Sequence, residues 1–312
     1  MENSLLSFVD ITEKTALACY PLIGYGDSKG ADQLAVSAMR TAFNKLPVDI
    51  QIVIGEGERD QAPRLYTGER LGDQKSSVKL DIAVDPLEGT ALCAEARPGA
   101  LSVMAVAQRG ELFKAPDIYM KKLACGSEAR GAIDLQAPVK DNILRAAKAL
   151  GKQPEDMTVG VLDRPRHKQL IQEIRETKAR IKLVGDGDVA LSLETALDFY
   201  SLDLLMGTGG APEGVLSAVA LKCLNGGFQA QLVYKDEQER QRAEKAGVQK
   251  LDKIWDRDEL VRSSACFFAT GVTTGPFLEG VKKEEDICQT HSLILTPNSQ
   301  REIKRKHFLK TV

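Results

Sequence analysis

The chain contains very little histidine. Its 312 residues include three histidines, at positions 167, 291 and 307. Zinc enzymes and histidine-based catalytic triads usually need several imidazoles at suitable spacing, so this scarcity argues against both classes. Carboxylates are the alternative carriers of chemistry, and a carboxylate set without histidine suits hard cations such as Mg²⁺ or Mn²⁺.

Paired cysteines and long apolar runs are missing as well. None of the six cysteines forms a Cys-x-x-Cys pair, which argues against a zinc knuckle or a thioredoxin-like site. In a chain of this length they are typical of reduced core thiols in a cytosolic protein. The amino terminus carries Glu2, Asp10 and Glu13 instead of a basic region, and no apolar run approaches the length of a membrane span. The sequence therefore predicts a cytoplasmic protein without a signal peptide.

No charge of one sign dominates the composition. The 42 basic and 44 acidic residues leave a formal net charge of −2, which does not indicate a nucleic-acid partner. Hydrophobic residues make up 43% of the chain and charged residues 28%, values that are ordinary for a globular protein. A chain of this length can bury one large core, but we expect two domains.

Hydrophobic periodicity predicts an α/β chain. The first part has a helix over 31–46, strands over 50–54 and 80–85, the second ended by Pro86, and a hairpin over 100–114 that turns at Arg109-Gly110. From about residue 138, four helices alternate with three strands, over 141–150, 158–162, 168–177, 180–184, 190–196, 203–206 and 214–224. This alternation predicts a mostly parallel sheet in the second part.

The change of pattern also predicts the domain boundary. We expect a mixed-sheet catalytic and metal-binding domain over 1–137 and an α/β substrate domain over 138–312. The last sixty or so residues could instead pack on the first domain, and the sequence leaves this open.

Four acidic, glycine-containing loops stand at the ends of predicted elements. They span 26–32, 55–60, 85–90 and 207–214. Each by itself has a simple structural explanation, since a first-turn acid complements the helix dipole and glycine supplies positive φ in turns. Together they put carboxylates where α/β proteins bind ligands. Crowded carboxylates repel one another unless protons or cations intervene, so the loops indicate a divalent-metal site suited to phosphoryl chemistry.

The third loop carries a recognisable motif. Asp-Pro-Leu-Glu-Gly-Thr at 85–90 resembles the Asp-Pro-x-Asp-Gly-Thr signature of the metal-dependent, lithium-sensitive phosphatase superfamily, which includes the inositol monophosphatases. With Glu88 as its second acid, Gly-Glu-Gly-Glu at 55–58 and Gly-Gly-Ala-Pro-Glu-Gly at 209–214, the chain resembles class II fructose-1,6-bisphosphatase. Further similar segments lie at 115–120, 164–167, 186–188 and 269–273. The resemblance extends from about Asp10 to about residue 295.

The resemblance implies a two-domain layered sugar-phosphatase fold and a defined set of site residues. It implies metal ligands at Asp32, Glu56, Asp85, Glu88 and Glu213. It implies that Asp60 helps to activate the attacking water and that Thr90 supplies a catalytic hydroxyl. The implied substrate-binding residues are Glu88, Gly89, Thr90, Tyr119, Arg164, Pro165, Arg166, Asp186, Gly187, Asp188 and Gly210.

Simple chemistry supports part of this assignment. Arg164 and Arg166 can hold a distal phosphate by forked hydrogen bonds, although a solvated loop around Pro165 is the structural alternative. Asp186 and Asp188 can accept hydrogen bonds from sugar hydroxyls.

Three positions depart from the family pattern. The family usually has lysine directly after aspartate in the first loop, whereas this chain has Ser28 and then Lys29. Ala91 stands where arginine often follows the Gly-Thr pair, and Gln61 stands where an acid commonly follows Asp60. We expect Lys29 to take over the role of the displaced lysine in stabilising the leaving oxygen.

The expected activity is hydrolysis of the 1-phosphate of fructose 1,6-bisphosphate to fructose 6-phosphate and phosphate. The resemblance implies Mn²⁺ or Mg²⁺ as the cofactor, and we expect a homo-oligomer without nucleic-acid or membrane partners. Sedoheptulose 1,7-bisphosphate and other sugar or inositol phosphates are alternative substrates, and a phosphate-binding relative impaired in catalysis is the alternative to an enzyme. A dinucleotide site is disfavoured, because Pro212 occupies the position of the third glycine of that fingerprint.

Overall fold

The computed structural model describes residues 2–56, 65–197 and 202–308. The chain divides into two compact units. The first unit comprises Met1–Leu112 and Ser263–Val312, and the second unit comprises Phe113–Arg262. Helices and strands form both units, which confirms the α/β class. Residues 113–137 lie in the second unit rather than with the first residues of the chain, and residues 263–312 lie in the first.

The elements of each unit follow in chain order. The first unit begins with α1 (Glu2–Cys19), α2 (Ser28–Phe43), β1 (Asp49–Ile54), β2 (Arg70–Gly72), β3 (Lys79–Glu88), α3 (Thr90–Ala94) and β4 (Leu101–Gln108). The second unit contains β5 (Tyr119–Cys125), α4 (Val139–Ala149), β6 (Thr158–Leu162), α5 (Lys168–Glu176), β7 (Arg180–Val184), α6 (Asp188–Glu194), β8 (Leu204–Gly210), α7 (Ala211–Cys223), β9 (Gly227–Val233), α8 (Glu237–Lys245), β10 (Ile254–Asp256) and α9 (Arg257–Leu260). The first unit ends with β11 (Ala265–Gly271), β12 (Lys282–Glu284), β13 (Ile287–Thr296) and β14 (Ser299–Phe308).

A mixed sheet forms the centre of the first unit. Its strand order is β12-β13-β11-β4-β3-β1-β2, and β14 pairs with β13. β1 and β3 run parallel, whereas the other neighbours run antiparallel. Met39 and Phe43 of α2 are buried in the core, and Phe8 of α1 packs on Phe268 with 5.8 Å between the ring centroids. The sheet holds the first part of the motif, 85–88, at the end of a central strand, and Gly89 and Thr90 lead into α3.

Two local predictions for the first unit are wrong. Pro86 does not end β3, because the register with β4 shifts between Asp85 and Glu88 and leaves the proline outside the regular ladder. The predicted hairpin over 100–114 is not formed, because β3 and β11 occupy the two edges of β4.

A second mixed sheet, in the order β10-β9-β5-β8-β6-β7, organises the second unit. β6 is parallel to β7 and β8, but β5 is antiparallel to β8 and β9, and β9 is antiparallel to β10. The prediction of a mostly parallel sheet is therefore wrong. Its cause is the insertion of β5 between β8 and β9, which the weakly alternating pattern of Tyr119–Cys125 did not indicate.

The helices follow from their apolar patterns. α7 is buried nearly all round, in keeping with its Val, Leu and Ala content, whereas α5 buries one stripe. None of the described helices is long and apolar enough to cross a membrane. All six cysteines are free, and four of them are buried: Cys19, Cys93, Cys125 and Cys288.

Candidate active site

The expected site residues are distributed over both units. The first unit carries Lys29, Asp32, Glu56, Asp85, Glu88, Gly89 and Thr90, and the second carries Tyr119, Arg164, Pro165, Arg166, Asp186, Gly187, Asp188, Gly210 and Glu213. Asp60, implied in water activation, lies outside the described residues, as does Gln61.

In the first unit, two of the carboxylates lie at the carboxyl edge of a parallel strand pair. Ile54 of β1 is paired with Ala83 of β3, so Glu56 and Asp85 follow at the same edge of the sheet. Gly55 is needed for this approach, because a Cβ there would lie 1.9 Å from the Leu65 carbonyl oxygen. The Glu56 N–H donates to that oxygen at 2.9 Å, which fixes the backbone of Glu56 against Leu65.

The segment 85–90 is a tight turn held by its own side chains. Asp85 Oδ1 accepts a hydrogen bond from the Leu87 N–H at 3.0 Å, and Thr90 Oγ1 donates to the Leu87 carbonyl oxygen at 3.0 Å. Gly89 has a φ of 79°, which a residue with a side chain rarely adopts. The Thr90 hydroxyl must leave Leu87 before it can donate to a bound phosphate.

The first acidic loop leads into α2. Asp27 caps the helix by accepting from the Gly30 N–H at 2.9 Å. Asp32 follows about one turn later and is half-buried, and burial raises the pKa of its carboxyl above the usual value. Lys29 is exposed at the beginning of the same helix. A nearby cation would favour the charged form of Asp32.

Glu213 stands in the first turn of α7, after the glycine-rich end of β8. Its Oε2 atom is buried, and no donor among the described residues reaches it. Burial raises the pKa of Glu213, whereas the Lys122 ammonium acts in the opposite direction. A Cβ on Gly210 would lie 2.0 Å from this Oε2 atom, so the glycine provides the space that the carboxylate occupies.

Asp188 forms a buried ion pair that the sequence did not indicate. The Lys122 ammonium donates to Asp188 Oδ2 at 2.6 Å. Asp188 begins α6, directly after Gly187, whose φ is 92°. Lys122 was missed because β5 was not predicted; the available signal was a pair of lysines inside an otherwise apolar segment.

The segment Arg164 to His167 is tied to two strands. Arg166 Nε donates to the Thr208 carbonyl oxygen at 2.9 Å. His167 Nδ1 lies 2.8 Å from the Leu162 carbonyl oxygen, and Nε2 accepts from the Thr208 N–H at 2.8 Å. Because a carbonyl accepts and an N–H donates, the ring is the neutral Nδ1–H tautomer. The segment is thus held by β6 and β8, unlike a freely solvated loop.

Positive charge collects around Tyr119. Arg166 Cζ and Lys235 Nζ each lie 4.8 Å from the centroid of the Tyr119 ring. Arg166 forms no ion pair with a carboxylate in the described part of the chain, while Arg164 Nη2 lies 3.6 Å from Asp186 Oδ1. Lys235, which follows β9, was not predicted. These cations and the aromatic ring suit a phosphate group of a ligand.

The expected metal ligands fit a divalent cation chemically. All five are carboxylates, the oxygen donors that Mg²⁺ and Mn²⁺ prefer. The buried Glu213 Oε2 atom, which lacks a donor among the described residues, is an acceptor for which a cation is a natural partner. An all-carboxylate donor set in a chain that also carries arginines suited to a phosphate is typical of metal-dependent phosphatases.

Comparison with known proteins identifies the family. The sequence model of the bacterial, glpX-encoded fructose-1,6-bisphosphatases matches residues 2–307. The chain belongs to this family of phosphoric monoester hydrolases, which confirms the resemblance to class II fructose-1,6-bisphosphatase.

Individual relatives extend over nearly the whole chain. A Synechococcus elongatus protein named D-fructose 1,6-bisphosphatase class 2/sedoheptulose 1,7-bisphosphatase is 40% identical over 325 residues, covering 96% of this chain and 94% of the relative. A Microcystis aeruginosa protein of the same name is 40% identical over 337 residues, covering 100% and 96%. Among solved structures, an inositol monophosphatase from Anabaena aligns at 15% identity with a TM-score of 0.33, covering 62% of this chain and 72% of that one.

Proposed function

We propose that this chain hydrolyses the 1-phosphate of fructose 1,6-bisphosphate, giving fructose 6-phosphate and phosphate. The family match over residues 2–307 carries the proposal, because it spans every residue expected in the site. The names of the Synechococcus and Microcystis relatives include sedoheptulose 1,7-bisphosphatase, which makes sedoheptulose 1,7-bisphosphate the second candidate substrate. A homo-oligomeric enzyme in the cytoplasm is the accompanying expectation.

Divalent metal, Mn²⁺ or Mg²⁺, is the proposed cofactor. Asp32, Glu56, Asp85, Glu88 and Glu213 would hold it. When bound, the cations supply Lewis acidity to the phosphate that is cleaved. The raised pKa of Asp32 and the buried Oε2 atom of Glu213 support this assignment, since both carboxylates need a source of positive charge.

The second unit would bind the part of the substrate that does not react. Arg164 and Arg166, spaced by Pro165, hold the distal phosphate beside Tyr119, and the bond from Arg166 to Thr208 orients the guanidinium. Asp186 and Asp188 accept hydrogen bonds from sugar hydroxyls. Gly187 and Gly210 would contact the substrate through their backbone.

The segment 88–90 would bind the phosphate that is cleaved. Water attacks phosphorus, Asp60 accepts the proton that the water loses, and the bond from phosphorus to the sugar oxygen breaks. Thr90 and Lys29 donate hydrogen bonds on the side of the leaving oxygen, which takes up a proton to become the sugar hydroxyl.

Phosphate release from a panel of substrates tests the function. We expect the highest kcat/KM for fructose 1,6-bisphosphate, compared with sedoheptulose 1,7-bisphosphate, fructose 6-phosphate and inositol 1-phosphate, with Mg²⁺ and Mn²⁺ assayed in parallel. Asp85→Ala and Glu213→Ala should each lower kcat by about 10³-fold, because several kcal/mol of transition-state stabilisation are lost.

The matched control for these variants is Asp156→Ala. Asp156 is an exposed carboxylate that pairs with Arg180 at 3.2 Å and is not one of the expected metal ligands. Its loss should leave kcat unchanged. Full activity after exhaustive chelation would overturn the proposal that the reaction depends on metal. Absence of phosphate release from every substrate would overturn the proposal that the chain is a phosphatase.

A further inference from the structure

Lys122 is the one buried lysine in the part of the chain that the structure describes. Only 1% of its side chain is exposed, and that of its partner Asp188 is 8% exposed. Removing an ammonium from water is costly, and well-packed apolar residues often replace a buried ion pair without loss of stability. A buried lysine in the middle of β5 is therefore poorly explained by fold stability alone, which points to a further task.

The surrounding glycines provide space for this pair. A Cβ on Gly209 would lie 2.0 Å from Asp188 Oδ2 and 3.2 Å from Lys122 Nζ. A Cβ on Gly214 would lie 3.3 Å from Lys122 Cε and 2.5 Å from Met120 Sδ. The glycine-rich connection from β8 to α7 thus leaves room for both charged side chains, in the same segment that carries Glu213.

The pair also determines the orientation of Asp188. The carboxylate begins a helix, where its backbone oxygen is already engaged by the Ser192 hydroxyl at 2.8 Å. The contact at 2.6 Å between Lys122 Nζ and Oδ2 holds the side chain in one orientation.

We propose that Lys122 is a positioning residue, which holds the Asp188 carboxylate as the acceptor for a hydroxyl of the bound sugar. This inference rests on the proposed function, since it assigns Asp188 to the sugar. Lys122 acts through Asp188 and does not contact the reacting phosphate.

The test is a double-mutant cycle of Lys122→Met and Asp188→Asn in the full-length enzyme loaded with Mn²⁺. Each single variant should raise KM for fructose 1,6-bisphosphate, and Kd for fructose 6-phosphate by calorimetry, at least about tenfold, the effect of losing one charged hydrogen bond. The double variant should be no worse than Asp188→Asn alone, because the two residues act as one unit. Each variant should still bind Mn²⁺, because neither residue is an expected metal ligand, although the altered charge beside Glu213 shifts the affinity.

The matched control is Lys152→Met. Lys152 lies 2.5 Å from Asp203 in the same unit, but 38% of its side chain is exposed, and its loss should leave KM and Mn²⁺ affinity unchanged. If Lys122→Met does not fold, Lys122→Leu, which also removes the donor to Asp188, is measured against Asp188→Asn by the same criteria.

Four results would overturn the inference: an unchanged KM in the lysine variant, additive losses in the double variant, loss of Mn²⁺ binding, or failure of both lysine variants to fold. Loss of Mn²⁺ binding would assign Lys122 to support of the metal site, and failure to fold would assign it to the stability of the fold. The wild type separates this inference from the proposed function. If the wild type releases no phosphate from any sugar bisphosphate, the function is wrong; if it does and the variants match it, only the role of Lys122 is wrong.

Discussion

Gly209, Gly210 and Gly214 are needed because there is no room for a side chain, rather than because of their backbone torsion angles. None of the three has a positive φ, yet a Cβ on any of them would lie within about 2.5 Å of another side chain. At Gly209 and Gly210 those side chains are the carboxylates of Asp188 and Glu213. Glycine is therefore required at these positions because carboxylates pack directly against the backbone. From the sequence alone, the same glycines are explained by positive φ in turns.

At Ser28 and Lys29 the chain departs from the family pattern, in which lysine directly follows aspartate. Substitutions at these two positions test which residue supplies the cation. If Lys29 replaces the displaced lysine, Lys29→Ala should lower kcat by about a hundredfold, the loss typical of one donor to developing charge. Ser28→Lys should then gain little, because the position is already served. Steady-state kinetics with fructose 1,6-bisphosphate and saturating Mn²⁺ measures both effects.

Substitution of another exposed lysine is the control for the Lys29→Ala and Ser28→Lys variants. Lys178→Ala removes an exposed lysine at the end of α5 and should leave kcat unchanged. A silent Lys29→Ala combined with strong activation by Ser28→Lys would show that Lys29 is a solvated surface residue.

β5 is the element on which most of the second unit depends. It lies between β8 and β9, and it carries both Tyr119 and Lys122. The 3₁₀ turn Pro165–His167 is the second such element, because its histidine bonds to the backbone of β6 and β8 at once. The cation-rich surface around Tyr119 therefore depends on strand pairing and on one neutral imidazole.

The neutral imidazole predicts a pH-dependent stability. Burial lowers the pKa of His167 below its usual value of about 6.5, because the charged ring is poorly solvated there. A lowered histidine pKa adds stability above the pKa of the unfolded chain, and this stability is lost as the pH falls below that value. Protonation also removes the lone pair that accepts from Thr208.

His167→Gln isolates this contribution. We expect the variant to be less stable than the wild type at pH 7.5 by about 1–3 kcal/mol, because the buried Leu162 oxygen loses its donor. The difference should shrink at pH 5.5, since only the wild type loses the contribution of His167. Thermal denaturation at both pH values measures the change. An equal difference at the two pH values would contradict the neutral tautomer.

At the scale of the whole molecule, the proposed metal ligands come from both units of the chain. Asp32, Glu56, Asp85 and Glu88 belong to the first unit, and Glu213 belongs to the second. The family match covers both units without interruption, which supports a common function for them. We therefore expect substitutions of the proposed ligands in either unit to weaken metal binding.

Thermal stabilisation by Mn²⁺ tests this expectation. At a free Mn²⁺ concentration a hundredfold above Kd, binding should add about 2.7 kcal/mol to the free energy of unfolding and raise Tm. Asp85→Asn and Glu213→Gln should each abolish most of the rise in Tm, whereas Asp156→Asn should keep it. A full rise in Glu213→Gln, with none in Asp85→Asn, would restrict the metal ligands to the first unit.

The sequence by itself determined the α/β class and the family, and it predicted a site for a hard cation. These follow from composition, from local periodicity and from short motifs such as the segment 85–90, which need no information about distant residues. The strands β6 and β7 were predicted with their observed bounds for the same reason, because each is a short apolar run with clear ends.

The tertiary structure decided which distant residues meet. Lys122 and Asp188 are separated by 66 positions, and Tyr119 reaches Lys235 through the pairing of β5 with β9. The return of β11 to β4, the direction of β5 and the two bonds of His167 are of the same kind. Such contacts depend on strand order and register, which are set by packing over the whole chain and leave no local pattern in the sequence.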